Sequence, residues 1–537
     1  MARPAVPALA ALGVGIVVVV NAWGGLMPGV GFWDTGEFQT VLPILGTAHP
    51  TGYPTYVLVG FIANILLMPL GEPAFRINVL SLLAVAAAAG LTVELVRRLT
   101  GSLAIGVAAG LGLATTPLVW ANATRADPHP LHLFFVALLL VLLVAWEQAR
   151  RRGVPTADRR LVAAAVVFGV AMGNHSLTLL LAPPIGLFVL AVHPGIVRRP
   201  RLLLASAVAL VVAVGAVYLE LPLRAGLFQA PLVYASPDTW DGFWYIALAE
   251  QFRGSLSDPL ADLPGKLGDL WDLTVGQYGA LALLVPLGFV ATVRRAPRYA
   301  LLSGTAMLIT VGFDASYTNA DIGRYYLGPI LWAWTWLACL GVIVVDVVVT
   351  AWSWLARRSR QAMRLASAGV AVVVAIGLLA PSLADAASSR DAADRSHDTG
   401  AAQWLADALP VIAPNAVLVS WWSTSTPLWY AELVEGRRTD IDIVDDRTIL
   451  DRGYGSALGV ISRFLGTKPV YIIRANDHDL AEVLAAYRLD LVAGGGNLGV
   501  YRVLGAVGAD GPDEATGPMR PGEPSEALGG RMGMNES

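Results

Sequence analysis

The sequence predicts a mainly α-helical, polytopic membrane protein carrying a small α/β domain near its C-terminus. Three observations support this: an apolar composition, the placement of arginine, and a change of pattern late in the chain. Of 537 residues, 55% are hydrophobic and 14% charged, against roughly a quarter charged in soluble domains. Apolar runs recur through the first 380 residues, many approaching the roughly 20 residues that cross a bilayer as helix. The single cysteine, Cys339, lies in one of these runs and excludes an intramolecular disulfide. Basic residues form short scattered clusters rather than one face, which argues against a nucleic-acid partner.

Eleven spans follow from the apolar runs, near 5–27, 76–96, 101–118, 131–148, 160–173, 177–193, 202–221, 277–293, 299–313, 326–351 and 365–382. The arginine clusters at 97–98, 150–160, 198–201, 294–298 and 357–364 then all fall on one side, which the positive-inside rule makes cytoplasmic. Counting 54–70 as a span would reverse every later cluster. Bounded by Pro54 and Pro69, it reads instead as an interfacial or re-entrant helix on the outer face. The N-terminal run reads as an uncleaved span rather than a signal peptide, since its apolar core is long and no small-residue cleavage site follows.

The chain therefore divides into a transmembrane domain at 1–385 with an outer loop at 28–75, a soluble extracytoplasmic domain at 390–505, and a disordered tail at 506–537. Strands are expected at 416–421, 441–444, 470–473 and 500–503, with helices at 427–435, 455–465 and 478–488. That alternation predicts a small, mostly parallel sheet. The tail is rich in Gly, Pro and Glu.

The parity of the spans gathers the chemistry-bearing loops on the outer side. The first contains GFWDTGEFQTVLPILGTAHPTGYP (31–54), with Asp34 and Glu37 three residues apart and His49 beyond them. On a helix these acids share a face, so either suits a general base; the same spacing also fits an N-terminal capping box. His49 reads equally as a water-facing residue in a Pro/Gly turn. Arg224 in LPLRAG and Arg324 in DIGRYYLG suit phosphate, or headgroup contact by snorkelling. Tyr325 reads as an interface anchor or a site residue. Asp241 lies in SPDTWDGFWYIALAEQFRG, where aromatics and acids suit either sugar stacking or an amphipathic helix. Asp127, His129, His132 and His175 raise a metal site, but no clean third ligand accompanies the first pair, and no metal is expected. DIDIVDD (440–446) reads as a strand entering an acidic loop.

Taken together, the loops resemble a known family. DTGEF…LGTAHPTGYPTY is similar to the Asp-Ser-Gly-Glu…Ala-His-Pro-Pro-Gly-Tyr-Pro signature of the family that includes transmembrane protein 260, a protein O-mannosyltransferase, formerly catalogued as a domain of unknown function. The likeness continues through RINVLSLL, VWANATRADPHPLHLFF, GVAMGNHSLTLLLAPP, LPLRAG, PDTWDGF and GRYYLGP, over roughly 30–340. This family in turn resembles the GT-C glycosyltransferases. The resemblance implies a multispan fold, a catalytic acid in the first outer loop, and a sugar donor carried on polyprenyl phosphate. Thr35 replaces the family serine, and Asp127-Pro128-His129-Pro130 replaces an acid followed by a hydrophobic residue and Tyr-Ser.

The resulting expectation is an inverting, multi-pass glycosyltransferase with its active site outside the cell membrane. It would move mannose or a similar hexose to a protein hydroxyl or an envelope glycan. Asp34, then Glu37, is the expected base. His49 and Tyr53 would shape the donor pocket, Arg224 and Arg324 would hold phosphate, and Tyr325, Asp127, His175 and Asp241 complete the expected substrate contacts. No cofactor is expected beyond the lipid-linked donor. The alternatives are a lipid-linked sugar transporter, which needs ionisable residues within spans, and a membrane-anchored binding module.

Overall fold

The computed structural model describes residues 5–318, 321–355, 360–473 and 477–507. The expected tail falls almost wholly outside these residues, as do Arg357 and Arg358 of the last basic cluster. Every expected span is helical. The helices that position the site are α1 (Ala5–Ala22), α2 (Trp33–Ile44), α3 (Pro54–Leu66), α4 (Pro73–Thr100), α5 (Leu103–Thr115), α6 (Pro117–Ala123), α7 (Pro128–Arg151), α8 (Asp158–Asn174), α9 (Ala182–Val192) and α10 (Pro200–Tyr218). Among the described residues, seven helices are long and apolar enough to span, or eight if α5 and α6, bent by 65°, form one broken span. The remaining expected segments are α8, the helical stretch Ser176–Val192 and the helix Pro297–Asp314.

Proline sets several boundaries. It stands in the first turn of α3, α4, α6 and α7, where a missing N–H costs nothing. With 13 residues, α3 reaches about 20 Å at 1.5 Å per residue, short of the roughly 30 Å hydrocarbon core. This agrees with its reading as a non-spanning helix. α4 and α7 form the centre of the bundle, with 72% and 78% of their apolar windows buried, whereas α1 and Pro200–Leu227 each bury 17%. The apolar surfaces of the latter are left for lipid.

The C-terminal domain holds a five-stranded sheet of β1 (Val417–Val419), β2 (Asp442–Val444), β3 (Val470–Ile473), β4 (Tyr487–Ala493) and β5 (Val500–Ala506), in the order β2-β1-β3-β5-β4. β1 pairs in parallel with β2 and β3, but β5 runs antiparallel to β3 and to β4. The mostly parallel expectation is thus corrected to a mixed sheet. The expected helix at 478–488 ends at Ala486, and β4 follows at once. Tyr487, Leu489 and Leu491 alternate there with Arg488 and Asp490, the period of a strand.

This domain packs directly on the membrane bundle. Val30 and Ala74 share a core with Trp404, Leu405 and Tyr430. The Tyr430 hydroxyl accepts the Ala74 N–H at 3.0 Å, and Thr40 Oγ1 donates to the Thr426 carbonyl at 3.3 Å. Gly36 permits this approach: a Cβ there would lie 2.2 Å from the Gly31 carbonyl oxygen and 2.8 Å from Thr426 Oγ1.

Candidate active site

α2 begins after a strained step. Trp33 has φ 58°, a left-handed conformation that is costly for a bulky residue and that recurs at functional sites. The N-cap is Phe32, without a side-chain cap, so Asp34 and Glu37 do not form the expected capping box. Asp34 instead turns to Arg324, whose Nη1 lies 2.6 Å from Asp34 Oδ2 and 3.2 Å from Asp127 Oδ2. Asp321 Oδ2 stands 4.0 Å from Arg324 Nε and 2.7 Å from Arg125 Nη2. Arg324 is thus the cation on which acids from the first outer loop, the α6–α7 turn and its own helical turn (Ile322–Tyr326) converge. Its side chain is 13% exposed, and that of Asp34 is 21%.

Glu37 takes the other direction. It is 1% exposed and accepts the His49 backbone N–H at 2.8 Å, while its second oxygen meets His49 Nδ1. The Tyr53 hydroxyl lies 3.2 Å from His49 Nε2. Burial by itself would lower the His49 pKa, but the Glu37 carboxylate outweighs it and leaves the imidazole raised above its ordinary value. Burial pushes the Tyr53 phenol well up, so it stays a neutral donor or acceptor. Tyr53 is also left-handed, with φ 48°, and forms the N-cap of α3.

A third group closes the site. Asp127 caps α7: its Oδ1 accepts the His129 N–H at 2.8 Å and meets the His129 ring Nδ1 at 2.7 Å. Burial would raise the Asp127 carboxyl, yet His129, hydrogen-bonded to it, and the Arg324 and Arg125 guanidiniums hold it well below the usual carboxylate range. His175 ends α8, and its Nδ1 accepts the Leu177 N–H at 3.1 Å. Burial, then the proximity of His129, His132 and the Arg324 guanidinium, pushes its pKa well below the ordinary value. Ring centroids lie 4.5 Å apart for His129 and His175, and 5.7 Å for Tyr53 and His175. Tyr325 stands edge-on to both histidines, at 5.0 and 5.6 Å.

The structure thus brings together Asp34, Glu37, His49, Tyr53, Asp127, His175, Arg324 and Tyr325. Arg224 serves the end of α2, donating from Nε to the Leu45 carbonyl at 2.9 Å and from Nη2 to the Ile44 carbonyl at 3.1 Å. Asp241 is exposed in the first turn of the helix Trp240–Ala247. Sequence reasoning missed Trp422. It comes from the C-terminal domain and places its ring 5.6 Å from that of His49 and 6.1 Å from that of Trp33. It missed the Arg125–Asp321 pair as well. Sequence position held no signal for either contact. Two further buried carboxyls, Glu220 and Asp314, have no hydrogen-bond partner. Among the described residues one set of atoms suits a cation: Asp34, Glu37 and His49 each bring a ligand atom within 4.8 Å of the others. Two carboxylates and an imidazole fit zinc or manganese chemistry, but here Arg324 and the Glu37–His49 contact already engage them.

Residues 34–195 match the family model described as the protein O-mannosyl-transferase TMEM260 N-terminal domain. A curated relative, protein O-mannosyl-transferase TMEM260 of Mus musculus, is 33% identical over 219 residues. That match covers 39% of this chain and 29% of the mouse protein, so the chain spans under a third of the relative's length. Among solved structures, ArnT from Cupriavidus metallidurans bound to undecaprenyl phosphate superposes with a TM-score of 0.55 at 17% identity, covering 92% of this chain and 97% of that one. The apo oligosaccharyltransferase of Archaeoglobus fulgidus gives 0.51 at 13% identity, covering 87% and 70%. The resemblance read from the loop motifs is borne out over the matched region, and the chain shares its fold with ArnT and the Archaeoglobus oligosaccharyltransferase.

Proposed function

We infer, from a chain that carries the TMEM260-family N-terminal domain on a GT-C fold, that it is a membrane glycosyltransferase. It moves a sugar, mannose or a similar hexose, from a polyprenyl-phosphate carrier to a protein hydroxyl or envelope glycan. The site faces the outer side of the membrane, where the arginine pattern places loop 28–75. The observation that carries the reading is the setting of Asp34. Among the acids in direct contact with Arg324 Nη1 or His49, it has the most exposed side chain, at 21% against 2% for both Asp127 and Glu37; Asp321, at 46%, lies 4.0 Å from Arg324 Nε and pairs with Arg125. An acceptor hydroxyl reaching α2 therefore meets Asp34 first.

In this mechanism Asp34 takes the acceptor proton as the oxygen attacks the anomeric carbon. The bond from that carbon to the phosphate oxygen breaks on the opposite face, so the configuration inverts. The polyprenyl phosphate leaves with its negative charge and needs no general acid. Arg324 fixes the direction of Asp34 through Nη1. Arg224 has guanidinium N–H groups beyond the two given to the Ile44 and Leu45 carbonyls, and in this reading they meet the phosphate. Glu37 orients His49 rather than taking the proton. The C-terminal domain packs on α2 and supplies Trp422, so it is part of this site rather than a tethered binding module. Glu94, Glu147 and Asp346 are paired with arginines, and the unpaired buried acids Glu220 and Asp314 stand at the ends of the expected spans 202–221 and 299–313 rather than at mid-span, where a transporter would need them.

The test is glycan analysis of exported proteins and envelope polymers after gene deletion, with wild type or Asp34→Asn restored at matched membrane levels. One sugar modification should vanish and return with wild type alone. Equal rescue by both would overturn Asp34 as base.

A further inference from the structure

His129 and His175 present a pair of ring nitrogens to which no described residue hydrogen-bonds. Both Nε2 atoms are buried and without a hydrogen-bond partner. Their residues are 2% and 4% exposed, and their ring centroids are 4.5 Å apart. Unmet buried polar atoms are costly, and native structures keep few of them.

The other nitrogen of each ring assigns the proton. His129 Nδ1 faces Asp127 Oδ1 at 2.7 Å, and a carboxylate only accepts, so Nδ1 carries the hydrogen. In the neutral ring Nε2 is then a bare acceptor. His175 Nδ1 accepts the Leu177 N–H, so its proton sits on Nε2, which is a donor. The depressed basicity of His175 agrees with a neutral ring. One acceptor and one donor, both unmet, therefore stand on rings whose centroids are 4.5 Å apart. A single hydroxyl fits them, donating its hydrogen to His129 and accepting one from His175.

We propose, resting on the glycosyltransferase reading above, that His129 and His175 bind one hydroxyl of the sugar being transferred and so help choose that sugar. The location suits this role. Asp127 links His129 through Oδ1 to Arg324 through Oδ2, and Arg324 holds Asp34. The pair is thus separated from the base by one carboxylate and one guanidinium. Tyr325 stands edge-on to both rings, so entry of the sugar requires this ring to move aside. His129 belongs to the Asp-Pro-His-Pro stretch in which this chain departs from the family pattern.

The experiment measures binding to the purified full chain in lipid nanodiscs, which needs no acceptor. The probes are polyprenyl-phosphate mannose, its four monodeoxy analogues, and bare polyprenyl phosphate. Wild type should bind the mannose-bearing carrier about 10–100-fold more tightly than the bare one, and a single deoxy analogue should lose most of that gain. In His129→Phe and His175→Phe the parent and that analogue should bind alike. The affinity for bare carrier should hold, which shows that the fold is intact. His129→Gln, which keeps an acceptor oxygen, should restore part of the discrimination. A sugar that adds nothing over bare carrier would mean that the two nitrogens hold only a water, and the subsite falls while the function stands. Equal losses for all deoxy analogues, or discrimination that survives both Phe variants, also overturn it. If neither carrier binds wild type, the glycosyltransferase reading itself falls, and this subsite with it.

Discussion

Asp34 and Glu37 leave the same turn of α2 and end in opposite surroundings. Asp34 lies toward the open side and meets a guanidinium. Glu37 is enclosed and held twice by His49, through the backbone and through the ring. Their spacing makes them look interchangeable; their environments divide the work. An enclosed, fully engaged acid holds a fold in shape, while a partly open acid with one oriented oxygen is able to do chemistry.

The sharpest way to break this comparison is to neutralise each acid without changing its size. Asp34→Asn should lower transfer about 10²–10⁴-fold while leaving heat resistance close to wild type. Glu37→Gln should do the reverse in kind. It leaves the His49 charge in a buried site without its partner, a loss of about 3–5 kcal/mol, seen as a lower unfolding midpoint in detergent. A stable, inactive Glu37→Gln beside an unfolded Asp34→Asn would exchange the two roles.

Arg324→Lys probes the open half alone. A lysine carries the charge but not the planar guanidinium that fixes Nη1 between Asp34 and Asp127 while Nε lies beside Asp321. Transfer should fall about 10–100-fold from misplacement of the base, with membrane levels retained. Unchanged transfer would show that Asp34 needs no orienting partner.

The enclosed half has its own signature in pH. The His49 pKa is raised above its ordinary 6.5, so the stability from its pairing with Glu37 is full below about 6.5 and fades as pH rises through the raised value. Asp127 runs the other way. Its carboxyl is held low, so its contribution is present above the usual carboxylate range, about 4, and fades as pH falls through the depressed value. Unfolding midpoints against pH should therefore decline on both sides for wild type. Glu37→Gln should lose the alkaline decline selectively.

Much of this was legible in the sequence, and the limits have physical causes. Apolar run length and arginine placement report directly on lipid, so all eleven expected segments are helical and α3 is too short to cross. β4 was hidden because Tyr487 follows the helix Asp477–Ala486 with no Gly or Pro between them. The sheet's mixed direction depends on the turn at Gly494–Gly496, where both of these glycines adopt positive φ. In the site, the i,i+3 spacing of the acids was readable on one helix. Which acid meets Arg324 and which meets His49 depends on how distant segments pack. The same holds for Trp422, brought beside His49 by the docking of the C-terminal domain.

The smallest expected effect concerns Arg224, which reading the sequence assigned to phosphate and the structure places on the carbonyls of Ile44 and Leu45. Both roles are compatible, because the last carbonyls of a helix have no partner within it and a guanidinium has five donors. They differ in what a lysine preserves. Arg224→Lys keeps a charge for phosphate but loses the fork that ties down α2 beyond Pro43. If capping dominates, the variant should lose about 1 kcal/mol of stability and bind bare polyprenyl phosphate as wild type does. If phosphate contact dominates, Arg224→Lys should keep most carrier affinity while Arg224→Gln loses about tenfold, the scale of one charge-assisted hydrogen bond. A Gln variant with wild-type carrier affinity would leave Arg224 as the clasp at the end of α2, and the phosphate would then have to be met from the open half of the site.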